Sequence, residues 1–161
     1  MSTLHHLGIG LLLLLCLITM GCSGKEGREE QRASGPNLPE GIGRSEEQRF
    51  RQYWVQGRIL YKQHCMGCHQ NDGAGMAQLI PPLDGADFLQ NKQAVICVIR
   101  HGMQGTVVVN GREYSGIMPP NPQLRPLEIA EIATYILNTW TNQEGYVGIP
   151  EVEAALQGCQ P

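Results

Sequence analysis

Apolar residues recur at helical intervals in the middle of the chain and again near its C-terminus. The first set follows residues 45–48, Ser-Glu-Glu-Gln, which have the spacing of a capping box and predict a helix start there. Its members lie three or four residues apart and mark one helix face: Phe50, Trp54, Gly57 and Tyr61. Because glycine weakens a helix, Gly57 indicates a position where another helix crosses closely.

Further periodic segments complete a predicted all-α domain of about four to five helices. Residues 91–101 predict a second helix that Gly102 ends, and Arg125-Pro126 opens a third. Their apolar faces are Val95, Val98 and Ile99 in the second helix, and Ile129, Ile132, Ala133, Ile136 and Trp140 in the third. Residues 107–111, three valines and Asn-Gly, predict a short strand and a tight turn, and residues 150–157 predict a short terminal helix.

The N-terminus has a different pattern. Residues 7–18 form an apolar run of signal-peptide length that is too short to span a bilayer comfortably. Gly21-Cys22 follows, and a small residue before a cysteine at this place resembles the signal of bacterial lipoproteins. That resemblance implies that Cys22 is diacylated, that residues 1–21 are cut off as a signal peptide, and that Cys22 becomes the new N-terminus. Since no Lys or Arg precedes the run and Thr19 stands where Leu is commoner, an ordinary signal peptide and an uncleaved anchor remain open.

Residues 22–44 are rich in Gly, Glu, Arg, Ser and Pro and contain almost no large apolar side chain. Such a composition cannot form a core and predicts a flexible tether. The folded domain is then residues 45–161, including a C-terminal helical extension. A lipid anchor on Cys22 would hold this domain at a membrane of the bacterial cell envelope, in the periplasm or on the outer face.

The strongest chemical signal is Cys65-Met66-Gly67-Cys68-His69, a C-x-x-C-H run. This spacing attaches a c-type haem, because the two thiols can bond one porphyrin edge and the adjacent histidine can bind the iron. The alternative is half of a zinc site, which needs a second pair of ligands at metal spacing. The sequence contains no such pair, so we expect one covalent haem c with His69 as an iron ligand.

A second ligand to that iron would separate an electron carrier from an open, reactive site. Met118 is the best candidate, because it lies 49 residues past His69 and two prolines that follow it would stiffen its loop. Core packing is the alternative role for this methionine. Its rivals as a ligand are Met66, Met76, Met103 and His101.

A rigid loop, Ile80-Pro81-Pro82-Leu83, offers a hydrogen-bond acceptor for the histidine ring. A haem-ligating histidine generally donates its other ring N–H to such a group, and the Pro81 carbonyl is our candidate. A plain stiff turn is the alternative.

Cys97 and Cys159 remain as one even pair of cysteines, and a disulfide is permitted outside the cytoplasm. Two buried free thiols are the other possibility.

Charge argues against nucleic acid as a partner. The chain has 12 basic and 15 acidic residues, a net charge of −3. Residues 25–62 carry a net charge of +2 and residues 63–161 a net charge of −5. The acidic body would attract a redox partner that has a basic docking patch, although solubility alone also explains it.

Taken together, these motifs resemble the class I cytochrome c family over about residues 45–142. The resemblance rests on the first helix, the Cys65–His69 motif, the Pro81-x-Leu83-x-Gly85 turn, Met118-Pro119 and the last long helix. It implies an all-α fold around one haem, axial iron ligation by His69 and Met118, and a hydrogen bond from the histidine ring to Pro81. The run from Tyr114 to Pro119 is similar to bacterial mono-haem cytochromes that serve oxidoreductases, so Tyr114 is included among the cofactor-binding residues.

The function expected from this resemblance is one-electron transfer in a membrane-associated redox chain, with unidentified donor and acceptor proteins. The chain itself is then not an enzyme, although it could be a subunit of an oxidoreductase complex. The alternative is a cytochrome subunit whose open haem site acts as an enzyme or sensor. Arg100 or His101 would serve as distal groups in that case. Residues 143–161 and the Cys97/Cys159 pair lie outside the core of the resemblance.

Overall fold

The computed structural model describes residues 35–159, which contain five α-helices, one 3₁₀ helix and a two-stranded sheet. The helices are α1 (Arg44–His64), α2 (Met66–His69), α3 (Lys92–His101), α4 (Pro126–Ile136) and α5 (Ile149–Gln157), with the 3₁₀ helix at Asp87–Gln90. The strands are β1 (Val107–Val109) and β2 (Arg112–Tyr114). The expected signal peptide and Cys22 lie outside the described residues. None of the described helices is long and apolar enough to cross a membrane.

Helix α1 buries the face that its periodicity predicts, with Phe50, Trp54, Gly57 and Tyr61 inside. Its start differs from the predicted capping box. The helix begins at Arg44 with Gly43 as its N-cap, and no side chain caps it. The first main-chain bond runs from Glu47 N to Gly43 O at 2.8 Å, so Ser45 already lies inside the first turn and cannot act as the cap.

Helices α1 and α4 cross at Gly57, as the sequence predicts. A Cβ atom added to Gly57 would lie 1.9 Å from the main-chain oxygen of Glu131 and 2.8 Å from Cβ of Tyr135. The rings of Trp54 and Tyr61 flank Tyr135, with centroid distances of 5.3 and 5.1 Å. The missing side chain therefore lets the two backbones approach, and aromatic contacts stabilise the crossing on either side.

Helix α4 is shorter than its apolar stripe predicts. It ends at Ile136, and Trp140 lies beyond it in a turn with φ 57°. The turn still returns the indole to the core, because Trp140 stacks edge-on against Tyr61 and Tyr135 at 5.7 and 5.9 Å. Its ring N–H donates to the carbonyl of Asn71 at 3.2 Å. Trp140 is therefore half-buried and packs against the core, as its apolar position indicates, although it is not helical.

A two-stranded hairpin follows α3. Strands β1 and β2 pair antiparallel, with Val107 opposite Tyr114. Asn110 and Gly111 connect them with φ 52° and 73°, as expected for an Asn-Gly turn. Asn110 also exchanges two hydrogen bonds with Asp87, which ties the turn to the 3₁₀ helix.

The C-terminal extension packs against α3 and α4. Val147 and Val152 are fully buried, and Tyr146 stacks on Tyr53 with a centroid distance of 4.9 Å. The Cα atoms of Cys97 in α3 and Cys159 after α5 lie 5.5 Å apart, and their sulfur atoms are at bonding distance, 1.98 Å. The extension is therefore part of the same core and is covalently joined to α3.

The folded part begins before residue 45. The main-chain N–H of Asn37 donates to Asn138 at 2.9 Å, and the carbonyl of Leu38 accepts from the side chain of Gln143 at 2.8 Å. Composition does not reveal this attachment, because it uses main-chain and amide hydrogen bonds instead of large apolar side chains. The rest of the expected tether, residues 22–34, lies outside the described residues.

Candidate haem-binding site

The C-x-x-C-H run forms a single turn that continues from the end of α1. The N–H of Cys65 donates to the carbonyl of Tyr61 at 2.8 Å, and the N–H of His69 donates to that of Cys65 at 3.0 Å. This turn directs both thiols and the imidazole toward one cleft. Cys65 and His69 are buried, as expected for residues in the wall of a site. Cys68 is exposed, as expected for a residue at its mouth.

That cleft brings together every residue expected to contact the cofactor. Its lining includes Cys65, Cys68, His69, Pro81, Tyr114 and Met118. Most of the remaining lining is aliphatic or aromatic, and no Lys, Arg, Asp or Glu side chain of residues 35–159 contributes to it. Leu83, Phe88 and Val109 also line the cleft, and no motif of the sequence predicts this role for them. Their only signal is an apolar side chain near a loop, which many core residues share.

His69 is oriented by its hydrogen bond to the loop of residues 80–83. Its Nδ1 lies 3.2 Å from the carbonyl oxygen of Pro81. A carbonyl can only accept, so Nδ1 carries the proton and Nε2 is the nitrogen left to bind a metal. Burial lowers the pKa of the His69 imidazole, and the bond to Pro81 partly opposes that shift. The neutral ring, which is the form that binds metals, is therefore favoured.

The thiol of Cys65 is also buried. Desolvation raises its pKa to about 12, and the neighbouring Cys68 contributes to the rise. The free thiol is thus neutral in this environment. A neutral sulfur beside an apolar wall is compatible with a thioether, which carries no charge either.

Met118 comes from a loop held by the end of α3. The main chains of Met103 and Met118 exchange two hydrogen bonds, of 2.9 and 3.0 Å. Gly102 lies so close that an added Cβ would be 2.3 Å from the carbonyl oxygen of Met118. Two residues before Met118, Gly116 packs on Leu79, and an added Cβ would lie 2.5 Å from the carbonyl oxygen of Leu79. Close main-chain contacts therefore hold the Met118 loop against the end of α3 and against Leu79, just before the Pro81 loop.

The rival ligands are placed differently. Met103 lines the cleft as Met118 does, and it is the one alternative with direct access. Met66 is half-buried against the core, whereas Met76 and His101 are exposed, and none of the three is part of the lining. Arg100 donates a hydrogen bond to the carbonyl of Leu124 and does not line the cleft either.

The chemistry of these residues fits a haem c. A porphyrin is a flat and mostly apolar ring, and the lining offers it apolar walls, two thiols on one side and a neutral imidazole with a free nitrogen. Within residues 35–159, no buried side-chain nitrogen or oxygen lacks a hydrogen-bond partner. When bound, the haem iron supplies one-electron chemistry by alternating between Fe(III) and Fe(II).

Comparison with known proteins agrees with the site. The family model described as Cytochrome c matches residues 55–140. Cytochrome c-552 of Thermus thermophilus is 37% identical over 89 residues, which cover 52% of this chain and 67% of that protein. A second cytochrome c-552 of the same species is also 37% identical, with 60% of its length covered. The cytochrome c subunit of alcohol dehydrogenase (quinone) from Gluconacetobacter polyoxogenes is 31% identical over 93 residues, only 19% of that subunit.

The chain therefore belongs to the cytochrome c family, and its mostly helical architecture is that of class I. Membership means a covalently bound c-type haem with iron and a role in electron transport. The predicted fold class and cofactor are confirmed. The second iron ligand, the membrane attachment and the redox partners go beyond what membership establishes.

Proposed function

We propose that this cytochrome is a membrane-tethered carrier of single electrons whose iron is bound by His69 and Met118. The observation that supports this proposal is the shared cleft: the thiols, the imidazole and Met118 line the same apolar space. With both axial positions taken by side chains, the iron would have no open site for a substrate. Such a protein transfers electrons between partners and is not itself an enzyme.

The protein's own residues contribute orientation and exclusion of water. Pro81 fixes the plane and tautomer of the His69 ring, so this ligand need not reorganise when the charge on the metal changes. Met118, the proposed second ligand, is held in place because its main chain pairs with that of Met103. The apolar lining keeps water from the metal, and a thioether ligand favours Fe(II) relative to a second histidine.

Exchanging Met118 tests the proposed ligand, and Met103 provides the matched control because both methionines line the cleft. We expect Met118→Ala to abolish the weak red absorption band of a methionine–Fe(III) bond, to lower the midpoint potential and to allow rapid carbon monoxide binding. Met103→Ala should keep the band and the slow carbon monoxide response. If the two variants exchange these phenotypes, Met103 is the ligand. If the unmodified protein binds carbon monoxide rapidly, the open-site enzyme or sensor is the better description.

The proposed setting is the bacterial cell envelope, with Cys22 lipidated, residues 22–34 as the tether and the domain in the periplasm or on the outer face. The apolar run of residues 7–18 followed by Gly21-Cys22 supports this setting. The partners would be donor and acceptor proteins of a redox chain. One relative is named as a subunit of a quinone-linked alcohol dehydrogenase, which supports a place beside an oxidoreductase.

Lipidation at Cys22 predicts that Cys22→Ala will neither incorporate labelled fatty acid nor pellet with membranes. Cys16→Ala, a second cysteine of the leader, is the control and should behave like the unmodified chain. Both should retain the haem spectrum, because the site is built from residues 64–136. Equal labelling of the two variants would contradict attachment at Cys22.

A further inference from the structure

The loop that carries Pro81 is hydrogen-bonded to two neighbouring residues, Thr141 and Asn142, that lie beyond the last long helix, α4. Asn142 donates from Nδ2 to the carbonyl of Leu83 at 2.9 Å, and its Oδ1 accepts from the N–H of Gly85 at 2.9 Å. Beside it, Asp84 accepts two hydrogen bonds from Thr141, one from the main chain and one from the hydroxyl. Three consecutive loop residues are therefore bound to two residues that lie 57 to 59 positions later in the chain.

Asn142 is well suited to hold a loop rigidly. It is 6% exposed, and its Nδ2 gives its second hydrogen to the carbonyl of Ile136, the last residue of α4, at 2.9 Å. All of its side-chain hydrogen-bonding groups thus have protein partners. The bond to Ile136 ties the loop to the helix that crosses α1 in close main-chain contact.

On the opposite side, the loop is bound to the turn after the haem motif. The N–H groups of Leu83 and Asp84 donate to the carbonyl of Gly73 at 2.7 and 3.1 Å. Pro81 lies between these attachments and the beginning of the loop, and its carbonyl accepts the bond from His69. The position of that carbonyl therefore depends on where Leu83–Gly85 are held.

We propose that Asn142 is a positioning residue for the electron-transfer reaction: it holds the Leu83–Gly85 segment so that the Pro81 carbonyl keeps its hydrogen bond to His69. This inference rests on His69 being an iron ligand, as proposed above. A hydrogen bond from the far ring nitrogen makes the imidazole a stronger donor to the metal and favours Fe(III). Loosening the loop weakens that bond and raises the midpoint potential.

The turn that contains Thr141 and Asn142 is also hydrogen-bonded to the N-terminal segment of the folded part. Asn37 Nδ2 donates to the main-chain oxygens of Asn142 at 2.7 Å and Trp140 at 3.0 Å. The turn of residues 138–142 thus joins the segment that leads to the proposed tether to the loop beside His69. Asn142 is the residue common to both attachments.

Asn138→Ala is the matched control for Asn142→Ala. Asn138 is also a buried asparagine with three side-chain hydrogen bonds, but its partners are Thr134 and Gly145, away from the Pro81 loop. Both variants lose an asparagine that binds a carbonyl of α4, so we expect similar losses of stability. Only Asn142→Ala should raise the midpoint potential of the haem-loaded protein and speed exchange of the His69 ring proton, measured by NMR in the Fe(II) form. Loss of the bond to Asn142 should also lower the protection of the Gly85 amide by about tenfold.

Equal potentials and equal His69 proton exchange in the two alanine variants would overturn the inference. Thr141→Val covers the case in which Asn142→Ala does not mature. It removes the hydrogen bond from the Thr141 hydroxyl to Asp84 and should raise the potential by a smaller amount, whereas an unchanged potential speaks against positioning by this turn. Failure of the proposed function is distinguishable, because the unmodified protein would then bind carbon monoxide rapidly, whereas failure of this inference leaves its slow response intact and equalises the two alanine variants.

Discussion

Single residues show both what local sequence reveals and what it conceals. Gly57 could be recognised, because a glycine on the buried face of a helix is costly unless another backbone approaches it. The spacing of Cys65, Cys68 and His69 predicts that they share one site, and the structure places all three in the lining of one cleft. Asn142 could not be recognised, because its partners in the Pro81 loop lie more than 50 residues away and an isolated asparagine near a helix end has many ordinary roles. Hydrogen bonds between distant loops leave no periodic trace in the sequence.

Gly57→Ala tests the helix crossing at this scale. The new Cβ would lie 1.9 Å from the main-chain oxygen of Glu131, a group that cannot rotate away, so α1 and α4 must separate. We expect a loss of about 3 kcal/mol in the free energy of unfolding, measured by denaturant titration. Gly43→Ala is the control, because nothing lies within 4 Å of an added Cβ and its φ is −68°. Its cost should stay below about 1 kcal/mol, and similar losses for both variants would contradict the crossing.

At the scale of elements, periodicity predicted the helices and their buried faces better than their ends. Helix α3 ends at Gly102 as expected, since this glycine adopts φ 72°. Helix α1 begins one residue before its apparent capping box, and α4 stops before Trp140. Helix ends depend on which carbonyl or amide a neighbouring segment satisfies, and that choice is made by tertiary contacts.

The C-terminal extension gives a prediction for a whole element. The Cys97–Cys159 pair spans 62 residues, so its removal should release considerable chain entropy in the unfolded state. We expect the double variant Cys97→Ala/Cys159→Ala to lose about 4 kcal/mol of stability while its haem spectrum is unchanged. A mild reductant should destabilise the unmodified protein by a similar amount and leave the double variant unaffected. A reductant that lowers the stability of both equally would show that the effect is not the disulfide.

At the scale of the molecule, the composition change before residue 45 does not mark where the chain begins to contact the folded body. The segment before residue 45 has little apolar surface, yet Asn37 alone makes three hydrogen bonds to the turn after α4. The C-x-x-C-H motif predicts the class of cofactor, and the apolar periodicity predicts a mostly helical architecture. Neither predicts the way in which the N-terminal segment and the Pro81 loop share one turn, because it depends on the assembled core.

Two truncations test where the domain begins. A secreted, haem-loaded domain that starts at residue 35 keeps all of the bonds of Asn37 and Leu38, whereas one that starts at residue 45 loses them. We expect the shorter domain to be less stable by about 2 kcal/mol, since net contributions of such bonds are about 1 kcal/mol each and ordering the segment offsets part of the sum. Asn37→Ala in the longer domain should reproduce about half of the loss. If the shorter domain unfolds at the same denaturant concentration as the longer one, residues 35–44 belong energetically to the tether and not to the folded body.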